Sequence, residues 1–351
     1  MDAVLFTKAV IAFGPALILL YVFDRLDVFN LIRARTIAVL LAIGGALAAL
    51  SFLANWRLMD GFGFEDYSRY VAPAIEESLK AAPILAMFAM NRIGFKLDAV
   101  IAGFAVGAGF AVIENGWYLS TLSDANVSAW VVRGFGTAIM HSGATALFAV
   151  ISHEMTERQA ESAAAHYRFN PLLFAPGLAV AIAVHALFNH FPHQPVLAMG
   201  ATLLLAPTTL FLALARSEHA TKKWLKADEA AHRQMLAEIR AGHFADTSAG
   251  HAMHALAGKL PAALSAEIAA CVELKIELVL RAEELILAAH GGAPADISAA
   301  DAEKLAKLGA IEQRLGKSAV AAINALLGLT RNDLWELDRL RARASASGKN
   351  L

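Results

Sequence analysis

A single cysteine, Cys271, is all the thiol this chain holds, so an intrachain disulfide and a thiolate metal site are both excluded. Charge is scarce as well: 17% of residues are charged, against about 25% in an ordinary soluble domain. The formal net charge is -1, so no excess of basic groups argues for nucleic acid. The first apolar run has neither a basic region before it nor a small-residue cleavage site, and is expected to remain as a helix. Several protease marks are also missing. There is no His-Glu-x-x-His and no Gly-x-Gly-Asp, and His141-Ser142-Gly143 is not the Gly-x-Ser-Gly of a rhomboid nucleophile. Ser142 reads instead as a small packing residue. No internal repeat is evident, whereas many transporters are built from repeats.

What is present is hydrophobic: 58% of residues. The charge is unevenly spread. Residues 1–215 hold 12 Lys+Arg and 14 Asp+Glu, against 18 and 17 in residues 216–351. This predicts an all-α protein with a transmembrane domain over 1–215 and a soluble α-helical domain over 216–351. Apolar runs of spanning length fall near 9–24, 35–55, 70–90, 97–119, 130–152, 170–191 and 195–215, which makes about seven transmembrane helices. The small residues of Ala102-Gly-Phe-Ala-Val-Gly-Ala-Gly-Phe110 predict close helix approach. Alternate loops carry eleven basic residues (Arg25, Arg33, Arg35, Arg92, Lys96, Arg158, Arg168, Arg216, Lys222, Lys223, Lys226) against four (Lys8, Arg57, Arg69, Arg133). By the positive-inside rule the N-terminus is expected outside and the C-terminus in the cytoplasm, in a multi-pass protein of the inner (plasma) membrane.

After residue 217 the pattern turns amphipathic, over Glu218–Ala241, Pro261–His290, Ser298–Leu315 and Thr330–Arg343. Ser298-Ala-Ala-Asp301 and Thr330-Arg-Asn-Asp333 read as helix starts. Gly291-Gly292-Ala-Pro294 reads as a turn, and the tail after Arg343 as disordered. This domain is read as a solvated helical unit or as one that binds a regulator or self-associates.

The run Tyr70 to Met90 is long and apolar, yet it carries Glu76, Glu77 and Lys80. A charge at mid-bilayer costs roughly 2.5–3.5 kcal/mol on insertion scales, so three within five residues point to function. On a helix Glu76 and Lys80 share a face, i to i+4. Other runs carry Phe110-Ala-Val-Ile-Glu114-Asn115, His141, and His185-Ala-Leu-Phe-Asn189. With helices threaded in alternate directions, Glu76, Glu77, Glu114 and His185 fall about 8–10 Å below the outer surface at roughly 1.5 Å per residue. His141 lies nearer the middle. Acids and imidazoles from four segments are thus expected to meet at one depth. A single His or Asn189 alone is more simply a helix–helix hydrogen bond; the whole set is not. Two chemistries suit it. A glutamate acts as general base while a histidine stabilises an oxyanion or donates a proton, or two histidines and a glutamate hold zinc with an open position. A proton- or ion-coupled transporter is the alternative reading, and a catalytically inert signalling scaffold is another.

The ordered motifs Glu76-Glu77-Ser-Leu-Lys80, Phe110-x-x-x-Glu114-Asn115, His141 and His185-x-x-x-Asn189 resemble the PrsW family of intramembrane proteases, over roughly residues 65–195. That family is related to the CAAX-prenyl endopeptidases and bacteriocin-processing membrane proteins. The CAAX branch has Glu-Glu-x-x-x-Arg and Phe-x-x-x-His, where this chain has Ala81 and Glu114; both departures fit the PrsW pattern. The resemblance implies a metallo- or glutamate-type peptidase that clips a single-pass or membrane-anchored protein near the extracytoplasmic face, with an anti-sigma factor as the known type of target. It implies catalytic roles for Glu76, Glu77, Glu114, His141 and His185. Lys80, Phe110, Asn115 and Asn189 support them, and zinc, where used, falls to His141, His185 and Glu114.

Overall fold

The computed structural model describes residues 3–26, 32, 34–122, 124–162, 169–259, 261–290 and 296–346. Arg33, Arg168, the Gly291–Pro294 turn and the last five residues of the expected tail lie outside them. Among the described residues the chain is helical throughout, with no strand. It divides into two compact units, Met1–Arg158 with Phe169–Ser217, and Gln159–Arg168 with Glu218–Leu351.

The first unit contains α1 (Ala3–Leu26), α2 (Ala34–Leu58), a single turn α3 (Phe64–Asp66), α4 (Ala72–Ala89), α5 (Lys96–Thr121), α6 (Val127–Val132), α7 (Ala138–Ser162) and α8 (Ala175–Asn189). It also holds the first half of α9 (Pro195–Arg240). Two π-helical turns, Tyr67–Val71 and Arg133–Thr137, lead into α4 and α7. Among the described residues, six helical stretches are long and apolar enough to cross a membrane. The other expected run forms α4, but Glu76, Glu77 and Lys80 set it apart from those six. The six spans and the helices after them make a membrane bundle followed by a helical C-terminal region.

At the centre stands α5, buried on every side from Asp98 to Ala111. Its start is fixed because Asp98 accepts the backbone N–H groups of Gly94 and Phe95, at 2.9 and 3.0 Å. Lipid chains are as apolar as leucine, so the hydrophobic effect gives neighbouring spans little reason to associate; close packing does. The glycines of α5 supply it. A Cβ on Gly107 would meet the backbone of His141 and Ser142, and one on Gly109 the backbone of Leu41. Gly107 therefore sets how near α5 approaches the histidine helix. The outer helices leave Val4, Phe6, Ile18, Leu53, Leu204 and Leu205 exposed, a surface made for hydrocarbon.

In the second unit, the remainder of α9 is joined by α10 (Ser248–Ala257), α11 (Ala262–His290), α12 (Ala299–Leu315), α13 (Lys317–Leu326) and α14 (Arg331–Ala346). The segments expected separately at 195–215 and 218–241 form one helix. No proline or glycine interrupts it after Pro207, and it ends before Gly242, whose φ of 80° suits glycine. Both anticipated caps form: Ser298 with Asp301, and Thr330 with Asp333. Helix α14 runs three residues past Arg343, where disorder was expected. Ile268, Cys271, Val272, Ile276, Leu305, Leu308, Ile323 and Leu337 fill the core.

Two outcomes are expected. Gly107→Leu presses a branched side chain into backbone, overpacking that costs at least about 1–3 kcal/mol; thermal unfolding in detergent will read a lowered midpoint. Burial pushes the Cys271 thiol up to about 11, so native protein will resist alkylation at pH 8 and react only once unfolded.

Candidate active site

The two carboxylates of α4 follow the π turn Tyr67–Val71 and Pro73, a residue suited to a helix start. Neighbouring positions on a helix point about 100° apart, and the two acids accordingly have different partners. Glu77 is 2% exposed and Lys80 is fully buried. Lys80 Nζ donates to Glu77 Oε1 at 2.5 Å. The pair is therefore i to i+3, and not the Glu76–Lys80 pair that i to i+4 spacing suggests; both spacings bring helical neighbours together. Lys80 neither snorkels nor ends the helix. Its ammonium also lies 3.0 Å from His141 Nδ1 and 4.8 Å from the centre of the Phe110 ring.

These contacts assign protons. An ammonium has only donors, so His141 Nδ1 accepts and the ring carries its proton on Nε2. That nitrogen faces Glu114 Oε2 at 2.6 Å. His185 Nδ1 lies 2.8 Å from Glu77 Oε1, a carboxylate oxygen, so Nδ1 donates and Nε2 keeps its lone pair. His185 Nε2 looks towards Glu76 Oε2, 4.0 Å away. The two imidazoles meet edge to face with centroids 4.8 Å apart.

All five expected acids and imidazoles thus stand together, drawn from α4, α5, α7 and α8. The supporting residues divide. Lys80 and Phe110 touch the cluster. Asn115 donates to the Ala12 carbonyl at 2.9 Å and accepts from Arg133 Nε at 2.9 Å. Asn189 donates to the Ser68 carbonyl at 2.8 Å, tying α8 to the π turn before α4. It is the helix–helix contact that an isolated asparagine most simply makes.

Three partners escaped the sequence reading. Arg133 was counted as an outer-loop charge; its Nη2 donates to Glu114 Oε1 at 2.9 Å, with its guanidinium 3.8 Å over the Tyr118 ring. Asn55 donates to Glu76 Oε1 at 3.1 Å and accepts from the Tyr67 hydroxyl at 2.8 Å. The signals were an arginine eight residues before His141 and one amide in an otherwise apolar run.

For metal binding, the compatible trio is Glu76, His141 and His185, whose ligand atoms lie within 4.8 Å of one another. Glu114, the carboxylate expected from the family motifs, is instead held by Arg133 and His141. Two imidazoles and a carboxylate are the donor set of hydrolytic zinc centres; the residues present fit such an ion once His141, whose Nδ1 faces Lys80, releases the proton on Nε2. Glu77 meets His185 Nδ1 as outer-shell carboxylates meet the far nitrogen of a metal-binding imidazole.

Six apolar spans around a buried cluster of glutamate and histidine define a multi-pass membrane protein with the donors of a hydrolytic centre. Residues 30–215, more than half of the chain, match the PrsW family intramembrane metalloprotease. The chain belongs to that family, as its motifs implied, and it carries an intramembrane metalloprotease domain. No curated protein and no solved structure matches it.

Lys80→Met leaves Glu77 buried without its cation, and breaking such a pair costs about 3–5 kcal/mol. Unfolding measurements in detergent will show this loss, and the double variant Lys80→Met/Glu77→Gln will recover most of it.

Proposed function

We propose that this protein is an intramembrane endopeptidase that hydrolyses a peptide bond in a membrane-anchored protein near the extracytoplasmic side. The observation that carries the reading is the free Nε2 of His185. Glu77 fixes its tautomer, and the nitrogen points at Glu76 in a water-poor setting. Glu77 and Lys80, sealed from solvent, act as positioning residues. The Glu76 and Glu114 side chains keep 13% and 15% of their exposure and are the groups a substrate can meet.

In this scheme Glu76, His141 and His185 would hold the ion, for which zinc is the natural choice; His141 gives up its Nε2 proton on binding and so frees Glu114 Oε2. When bound, it acidifies a water and polarises the scissile carbonyl. Glu114 is the proton acceptor. Arg133 occupies Oε1, and once His141 has lost its Nε2 proton Oε2 is the oxygen that takes the proton as the water oxygen bonds to the carbonyl carbon. The same oxygen then delivers that proton to the departing amine as the C–N bond breaks. Phe110 packs beneath His141, with ring centroids 5.1 Å apart, and helps to exclude bulk water.

The basic-residue asymmetry of the loops supports an outside N-terminus and a cytoplasmic C-terminal domain in the inner membrane. An anti-sigma factor or a similar single-pass regulator is the substrate type we assign.

Purified protein with a single-pass substrate tests this. Glu76→Gln, Glu114→Gln and His185→Ala should each lower turnover by about 10²-fold or more, and zinc should restore activity after chelation. Wild-type rates in Glu76→Gln and His185→Ala would refute the scheme. Cleavage that survives exhaustive chelation but not Glu114→Gln would make the enzyme glutamate-driven instead.

A further inference from the structure

The second unit contains another group of acids that the membrane site does not use, of which Asp333 also caps α14. Helix α9 presents Asp228 and His232 at i and i+4, so they share a face. Helix α11 adds Glu283, and α14 adds Asp333 and Glu336 at i and i+3. His232 Nδ1 lies 2.7 Å from Glu283 Oε1, and His232 Nε2 lies 3.9 Å from Asp333 Oδ2. One ligand atom from each of Asp228, His232, Glu283 and Asp333 falls within 4.8 Å of the others.

Acidic residues gathered together do not by themselves make a site. The independent observation is Glu336. It is fully buried, and neither of its carboxylate oxygens has a hydrogen-bond partner among the described residues. The groups acting on its charge are Glu283, Asp333 and Asp228, all of them acids. Further oxygens in the same place lack a partner: Glu283 Oε2, Asp333 Oδ1 and Asp228 Oδ2. Three carboxylates converge on one imidazole, and Glu336 adds a fourth beside them, with no Lys or Arg in the converging group. Buried carboxylates are tolerated when they are paired or coordinate a metal.

We infer that Asp228, His232, Glu283 and Asp333 form a second metal site, with the unpartnered Glu336 carboxylate beside it, taking a divalent first-row ion such as zinc, manganese or iron. The donor chemistry selects this class. Imidazole favours transition metals over calcium and magnesium, and the lack of sulfur removes the preference for soft ions. His232 is oriented as a ligand should be: Nδ1 donates to Glu283, so Nε2 is left with its lone pair. Carboxylates and a histidine projecting from facing helices are a recurrent way to seat metals in a helical bundle. The site ties α9, α11 and α14 together at one point and is separate from the catalytic cluster.

The full-length protein in detergent is stripped with a chelator and dialysed against zinc, manganese or iron(II), one at a time. Ions per chain are then counted by elemental analysis. The double variant His141→Ala/His185→Ala removes the membrane site from the count. It should still retain about one ion per chain, and the ion should raise the unfolding midpoint. Adding Glu283→Gln and Glu336→Gln, which keep shape and remove charge, should weaken binding by more than the roughly 10–100-fold typical of losing a supporting partner. Failure of the double variant to retain any of the three ions would overturn the inference, and this holds even if the glutamine variants misfold. So would equal retention with and without Glu283 and Glu336. Neither result bears on the peptidase reading, which is judged by substrate cleavage.

Discussion

The buried ammonium of Lys80 is the group on which the membrane site depends. It neutralises Glu77, gives His141 its tautomer and rests on the Phe110 ring. An apolar interior strengthens each of these interactions and makes each partner costly to lose. Glu77 in turn sets the proton on His185. One cation therefore fixes the protonation pattern of two imidazoles on different helices. Arg133 performs the matching task on the other flank, holding Glu114 and Asn115 while stacking on Tyr118.

Small residues make this arrangement sterically attainable. The carboxylates of α4 and α5 and the imidazole of α7 have short reach, so their backbones must lie close, and Gly107 permits that beside His141. Packing and chemistry are thus coupled at a single position. Leaving out one Cβ brings the histidine helix near enough for its ring to bridge Lys80 and Glu114.

Much of this was legible in the chain. Apolar runs of spanning length announced the bundle, and charges too costly for lipid announced the cluster. The caps at Ser298 and Thr330 followed from spacing alone. What escaped depended on direction and on context. Spacing on α4 allows Lys80 either glutamate, and only the neighbouring helices, which supply His141 and His185, decide for Glu77. Arg133 looked like a topological charge because nothing local reveals that it turns inward. Asn55 was a lone amide whose partner lies twenty-one residues on, in another helix. The clustered acids of α9, α11 and α14 stayed hidden because each is an ordinary polar residue on an amphipathic helix; the packing of three helices puts them in one place.

The π turns at Tyr67–Val71 and Arg133–Thr137 sit directly upstream of the helices that carry Glu76 and His141. A π turn amounts to an extra residue accommodated within an α-helix. Excising one residue there would rewind the helix and swing everything before it by roughly 100° relative to everything after. Tyr67 and Arg133, which brace Glu76 and Glu114 from those turns, would then be dialled away from the acids they serve. The phase of each helix, as much as its composition, is part of what the chain encodes.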